Sequence, residues 1–358
     1  MSDDATPRSR GAAASPGATP PPAGAGVRGP ARPSRAQPGL GVLAIAVLAL
    51  ALFPLVAGRF AIDLATTMMI NAVFALSLAL LVGEAGLVSF GHAAFLGIGA
   101  YATVLLAPKT GSAALLGLLP AVMMVTALFA ALIGALSLRT RGVYFIMVTL
   151  AFSQMAYYVF HDTAFGGGSD GIYLNAKPTL PWVDNLGNPR AFYYLTLAAL
   201  VATFAVLALI KRSRFGHALA GVRVNDQRMR AAGHPTFVLK LAAFVIAGAL
   251  ASVAGSLWAI KDGFVNPELL SWHQSGAVLL MLILGGLGHL RGAVIGAFVF
   301  IAMKEAFQSQ ALFGTFAGHW QLSLGVAIIV LVAAMPRGLM GFGAQRARRR
   351  RAREAGAP

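Results

Sequence analysis

No cysteine occurs in the 358 residues, which excludes disulfides, thiol nucleophiles and thiolate metal sites. Charge is nearly as scarce. Asp, Glu, Lys and Arg make up 11% of the sequence, against roughly 25% in soluble domains. Apolar residues reach 58% and mean hydropathy is +0.74. So little charge cannot cover a soluble surface, and the composition predicts an all-α polytopic membrane protein. There is no GxxxxGK[ST] run, so the chain has no phosphate-cradling loop of its own. HExxH is absent too, and the seven histidines lack metal-ligand spacing, so no metal site and no catalytic residue is expected. Acidic residues are the scarcer sign, 12 against 28 basic. The basic excess sits in tails and short loops, the distribution that membrane orientation produces, and does not point to nucleic acid.

What the chain does have is one apolar run after another. These predict spans near 40–57, 61–82, 87–107, 112–136, 143–160, 191–210, 238–260, 274–287, 291–308 and 318–336. A span needs about 20 residues. The run 274–309 is long for one helix and short for two, with Gly285, Gly286, Gly288, His289 and Arg291 interrupting it. Charge decides the count. Both arginine-rich tails are expected in the cytoplasm, so the number of spans must be even. Splitting 274–309 gives about ten, some short or broken, and puts Arg139, Arg141 and the basic segment 211–240 on the same inner side. The expected organisation is a disordered Pro/Ala/Gly-rich tail over 1–39, a membrane domain over 40–336, and a second basic tail over 337–358. The tails serve as topology signals with affinity for anionic membrane lipid.

The span centres hold no Asp, Glu, Lys or Arg; Asp63, Lys240 and Lys304–Glu305 fall near span ends. Ion-driven carriers place ionisable groups at membrane depth. Their absence weighs against proton coupling, while sodium coupling through carbonyls at broken helices stays open. Two polar stripes, Thr67–Asn71 and Thr149–Ser153–Tyr157, fit either a passage for a zwitterion or interhelical hydrogen bonds worth about 1 kcal/mol or less. Small residues four apart (Gly288, Gly292, Gly296; Ala247, Ala251, Gly255) read as close helix packing.

Two segments are more specific. In GLVSFGHAAFLGIGAY (Gly86–Tyr101), glycines weaken the helix by about 1 kcal/mol each relative to alanine. A half-broken membrane helix is tolerated where its backbone faces protein or a water-filled cavity. The segment reads as a pathway or gate element around Ser89, Gly91 and His92, although a structural role for His92 is equally open. In the segment 211–240 the pattern predicts an amphipathic helix over 217–232. Leu219, Val222, Met229 and Ala232 share one face, and Gly233 acts as the stop. By spacing alone it suits anionic lipid and a protein groove equally.

The pattern Arg212-Ser213-x-Phe215-Gly216-x-Ala218-Leu219, Arg223-x-x-Asp226, Ala231-Ala232-Gly233 and Lys240 resembles the cytoplasmic coupling loop of branched-chain amino-acid ABC importer permeases. Gly86–Tyr101, RTRGVYFIMVTLAF from Arg139, GGGSDGI at 166–172 and LGGLGHLRGAVIGA from Leu284 resemble the same family. The resemblance covers about residues 60–336. The arginine-bearing N-terminal extension and the GGGSDG loop favour the LivM-type subunit over its shorter LivH-type partner.

This resemblance implies a non-enzymatic permease subunit in the bacterial cytoplasmic (inner) membrane, importing Leu, Ile or Val by alternating access. The chain would bind no cofactor. ATP and Mg would sit on two separate cytoplasmic ATPase subunits, beside a LivH-type second permease and an extracytoplasmic amino-acid-binding protein. Gly216, Leu219, Arg223, Asp226 and Gly233 would couple to the ATPase. Ser89, Gly91, His92, Thr149 and Ser153 would lie on the translocation pathway. Gly167, Gly168, Ser169 and Asp170 would form the loop that meets the binding protein. A permease for urea, short-chain amides or sugars is the close alternative, and an ion-coupled secondary transporter the distant one.

Overall fold

A computed structural model of the chain describes residues 40–108, 114–179, 186–335 and 338–341. The N-terminal tail 1–39 and most of 337–358 lie outside the described residues. The chain divides into two units, Met1–Ala44 and Ile45–Pro358, and every element after the first helix belongs to the second. The helices are α1 (Leu40–Val56), α2 (Arg59–Leu80), α3 (His92–Leu106), α4 (Leu115–Ser137), α5 (Val143–Asp162), α6 (Pro189–Arg212) and α7 (Arg214–Val224). They continue as α8 (Asp226–Ala231), α9 (Thr236–Asp262), α10 (Trp272–Gly285), α11 (Leu290–Gln308), α12 (Gln310–Phe313) and α13 (Trp320–Ala334). A π-turn, Leu81–Ala85, carries α2 onward. The strand content among the described residues is two short segments, β1 (Ile172–Tyr173) paired antiparallel with β2 (Phe264–Val265).

The all-α membrane architecture is as expected, and some of the about ten expected spans are short helices, Ala44–Val56 and His92–Leu106 among them. Among the described residues, six helical stretches are long and apolar enough to cross a membrane, and the pair α10–α11 passes the same test only taken together, bent by 116° at its break so that α11 returns along α10. The expected span 87–107 shrinks to the 15-residue α3, about 22 Å long at 1.5 Å per residue, short of the roughly 30 Å hydrocarbon core. Every residue from His92 to Val104 is buried. An apolar run of this length that is buried all round is an inner helix rather than a lipid-facing one. Six or seven such stretches do not by themselves fix the side of the termini.

The core forms around α3, which lies between α9, α4 and the turn Pro267–Leu270. Phe95 meets Phe129 and Phe244 edge-on, with centroids 6.3 and 5.4 Å apart. The small-residue stripes mark the closest helix contacts. A Cβ on Gly255 would lie 2.0 Å from the Leu96 carbonyl oxygen, and one on Gly296 would lie 1.9 Å from that of Met281. Backbone therefore meets backbone where α9 crosses α3 and where α11 folds back on α10. Elsewhere α4, α5 and α13 expose Leu128, Met147, Ile329 and Val330, the outer face expected in hydrocarbon.

Chain direction sorts the sites into two ends. The π-turn, the C-terminal end of α6, α7, α8 and the start of α9 gather at one. The start of α2, the end of α5, β1–β2 and the start of α10 gather at the other.

The backbone contacts predict a sharp contrast. Gly255→Leu should abolish a monodisperse size-exclusion peak in mild detergent, since its collision exceeds the about 1–3 kcal/mol of ordinary overpacking. Gly325→Leu, with nothing within 4 Å of its Cβ position, should leave the peak unchanged.

Candidate functional site

The basic segment is held against two helix breaks by two cations. At the first break the π-turn ends at Gly86 (φ 71°), and the chain is non-helical until α3 begins. At the second, Gly286 and Gly288 take φ of 105° and 85°, and α10 gives way to α11. The two approach closely: a Cβ on Gly83 would lie 3.4 Å from Gly288 Cα. Lys211, at the end of α6, donates to Glu84 Oε1 in the π-turn and, at 3.1 Å, to the Gly288 carbonyl. Arg223, on α7, donates through Nη1 to the Gly83 carbonyl. Its Cγ lies 3.0 Å from where a Cβ on Gly86 would sit, so glycine there leaves room for the arginine stem. Helix breaks free carbonyls that cannot remain unpaired in an apolar surrounding, and here cations satisfy one at each break.

The expected continuous helix over 217–232 is two helices. Ser213 caps the first, accepting from Gly216 N at 3.3 Å. Asn225, extended at φ −157°, ends it and caps the second by accepting from Arg228 N at 2.9 Å. An Asn-Asp pair in mid-helix is an N-cap signal in the sequence, and the apolar periodicity concealed it. Gly216 and Leu219 are buried within the chain itself. Leu219, with Val222, therefore anchors the segment inward. The outward rim is Val224, Asn225, Gln227 and Arg228.

Asp226 pairs with Arg230 within α8 at 2.8 Å and ties α8 to α9 through Lys240 at 3.3 Å. Burial pushes its carboxyl upward, but the Thr236 hydroxyl, Lys240 and Arg230 outweigh burial and hold it below the usual carboxylate range. Gly233 is the stop that the pattern predicted, at φ 84° with His234 N donating to the Met229 carbonyl at 3.0 Å. Beside α8 lies a hollow of about 1030 Å³, lined by Arg139, Arg141, Asp226, Arg230 and Lys240.

The expected pathway residues converge, and they are packed. Ser89 Oγ accepts from Gly91 N at 3.2 Å. Gly91 lies so close to Thr149 that a Cβ would fall 2.3 Å from its carbonyl oxygen. Ser153 donates to the Leu270 carbonyl at 3.1 Å. His92 shares a 2.8 Å hydrogen bond with Ser77 and stacks on Phe74 at 5.4 Å. Ser89, His92, Thr149 and Ser153 are at most 1% exposed, so they form a closed seam where the start of α3 meets α2, α5 and the turn Pro267–Leu270.

At the opposite end, Gly167, Gly168 and Gly171 all take positive φ and bring the loop onto β2. Ser169 and Asp170 are exposed at its tip, with Ser169 Oγ 3.3 Å from Asp170 Oδ1. Glu84 and Lys211 are the site residues that the sequence did not reveal, because both fell outside the apolar runs and stand 127 positions apart.

Residues 60–335 match the family model described as the branched-chain amino acid transport system permease component. The high-affinity branched-chain amino acid permease protein LivM of Escherichia coli K12 is 29% identical, over 84% of this chain and 74% of its own length. The permease protein LivH of the same organism is 27% identical over 40% of this chain and 46% of its own. Its xylose permease protein XylH is 27% identical over 42% and 38%. No solved structure matches the chain.

The brace predicts a non-additive pair. Glu84→Gln or Lys211→Met alone should destabilise the purified protein by about 1–3 kcal/mol, as for a charge-assisted hydrogen bond. That is less than a fully buried pair costs, because Lys211 remains a third exposed. The double substitution should lose clearly less than the sum of the two in detergent thermal melts.

Proposed function

The chain belongs to the family of permease components of branched-chain amino-acid transport systems, and on that premise we propose a LivM-type subunit of an ATP-driven importer carrying Leu, Ile or Val into the bacterial cytoplasm. The match over residues 60–335 carries this reading, and LivM supplies the substrate class. The chain works with a LivH-type second permease subunit, two cytoplasmic ATPases that hold ATP and Mg, and an extracytoplasmic amino-acid-binding protein. Its arginine-rich termini lie in the cytoplasm by the charge rule.

The geometry supports a route for the energy. An ATPase groove takes the rim Val224–Arg228 and the cations of the neighbouring hollow. Gly216, Leu219 and Gly233 fix the shape of the two-helix segment, and Asp226 fastens α8 to α9. Motion of the segment reaches the two helix breaks through Arg223 and Lys211. The seam of Ser89, Gly91, His92, Thr149 and Ser153 lies just beyond the first break and is the gate that parts. Gly167, Gly168, Ser169 and Asp170, at the far end, receive the binding protein. The XylH similarity favours one competing reading, a sugar permease with the same mechanics.

Gentle purification should bring down two ATPases and a second permease, and the reconstituted complex with its binding protein should take up labelled leucine and not xylose. Xylose uptake without leucine uptake would sink the substrate assignment. Arg223→Glu combined with Gly233→Pro should preserve assembly and ATP hydrolysis while lowering leucine uptake by about tenfold or more, equal to 1.4 kcal/mol. Uptake at the unmodified level would remove the coupling role.

A further inference from the structure

At the end remote from the basic segment, a cavity of about 210 Å³ opens between α2, α9, α10 and α11. Asp63, Asn71, Gln274, Lys304 and Glu305 supply its polar lining. Asp63 is already matched, with Lys261 at 3.2 Å. Lys304 and Glu305 make no ion pair among the described residues. The Lys304 ammonium lies 5.5 Å from the centre of the Trp320 ring. Consecutive residues on a helix do not face each other, so this cation and anion do not neutralise one another although both line the same space. Half-buried charges without an ionic partner are unfavourable, and a ligand carrying both signs relieves them together.

The remaining lining narrows the ligand class. Asn71 is 7% exposed and spends one amide hydrogen on the Thr67 carbonyl at 2.9 Å, leaving its other amide hydrogen and its Oδ1 for a ligand. Trp258, Met281 and Phe300 form an apolar wall. The volume falls below the about 300–1,000 Å³ of pockets for drug-sized ligands, which suits one small metabolite. We propose that this cavity binds the zwitterion of an aliphatic α-amino acid, its carboxylate on Lys304, its ammonium on Glu305 and its side chain against the apolar wall. The proposal rests on the amino-acid reading above and adds to it the place on this chain where the substrate is held. Of the two polar stripes, Thr67–Asn71 reaches this cavity, whereas Thr149–Ser153 lies in the closed seam.

The test uses the assembled transporter in nanodiscs and photo-leucine, a diazirine analogue of leucine, with adducts mapped by mass spectrometry. Adducts are expected on peptides containing Trp258 or Met281. Leucine should displace them, whereas leucinamide, which lacks the carboxylate, 4-methylpentanoate, which lacks the ammonium, and xylose should not. Lys304→Met and Glu305→Gln should each lower labelling about tenfold, equal to 1.4 kcal/mol, with an unchanged size-exclusion profile. Lys304→Arg should restore it. If the complex imports leucine but labels elsewhere, or labels equally in both variants, the cavity assignment is wrong and the amino-acid reading survives. Charge-dependent labelling without leucine import would uphold the cavity and remove the import reading. Displacement by xylose would overturn the zwitterion assignment.

Discussion

A membrane helix can break only where something else takes over its backbone hydrogen bonds. The rest of this structure depends on how that constraint is met at Gly83–Gly91 and Gly286–His289. Side chains of the basic segment meet it at one carbonyl of each break. Lys211 and Arg223 reach from the basic segment to the carbonyls of Gly288 and Gly83, and Glu84 supplies the counter-charge for Lys211. The segment is therefore a structural part of the bundle. Removing it would leave carbonyls at both breaks without their donors.

The inward anchoring also changes what the amphipathic pattern means. An apolar face on a surface helix usually points to a groove in a partner or to lipid. Here Leu219 and Val222 are buried inside the chain that carries them, so the face left exposed is the polar knuckle around Asn225. A rigid knuckle transmits displacement better than a peeling apolar face, because its anchor to the π-turn is kept while the tip is pushed. The closed seam at Gly91 and Thr149 fits this arrangement, since backbone packed on backbone has few intermediate states and responds to displacement by separating.

Much of the fold was legible in the sequence, for an identifiable reason. The apolar runs 143–160, 191–210 and 238–260 became helices at Val143–Asp162, Pro189–Arg212 and Thr236–Asp262, because hydrocarbon admits little but a helix at such lengths. The run at 87–107 became the shorter α3, buried all round, because hydropathy does not separate a helix surrounded by protein from one surrounded by lipid. The break at Asn225 carried its own capping signal, outweighed by the apolar period on either side. The Glu84–Lys211 pair and the meeting of α2 with α10 and α11 had no local signal, since tertiary pairing of distant positions leaves none in a single chain.

The scarcity of charge at membrane depth takes on a different sense in three dimensions. The few ionisable groups near span ends are divided between the two ends of the bundle. At one end, Glu84, Lys211, Arg223 and Asp226 are matched to carbonyls or to opposite charges, which makes that end rigid. At the other, Lys304 and Glu305 line open space without an ionic partner. Satisfied charge serves to hold a shape, and unsatisfied charge beside a cavity serves to bind. That asymmetry suits the proposed subunit, which would receive force at one end and a solute at the other. A chain with 11% charged residues places both kinds where the helix ends let water or protein share the burden of desolvation.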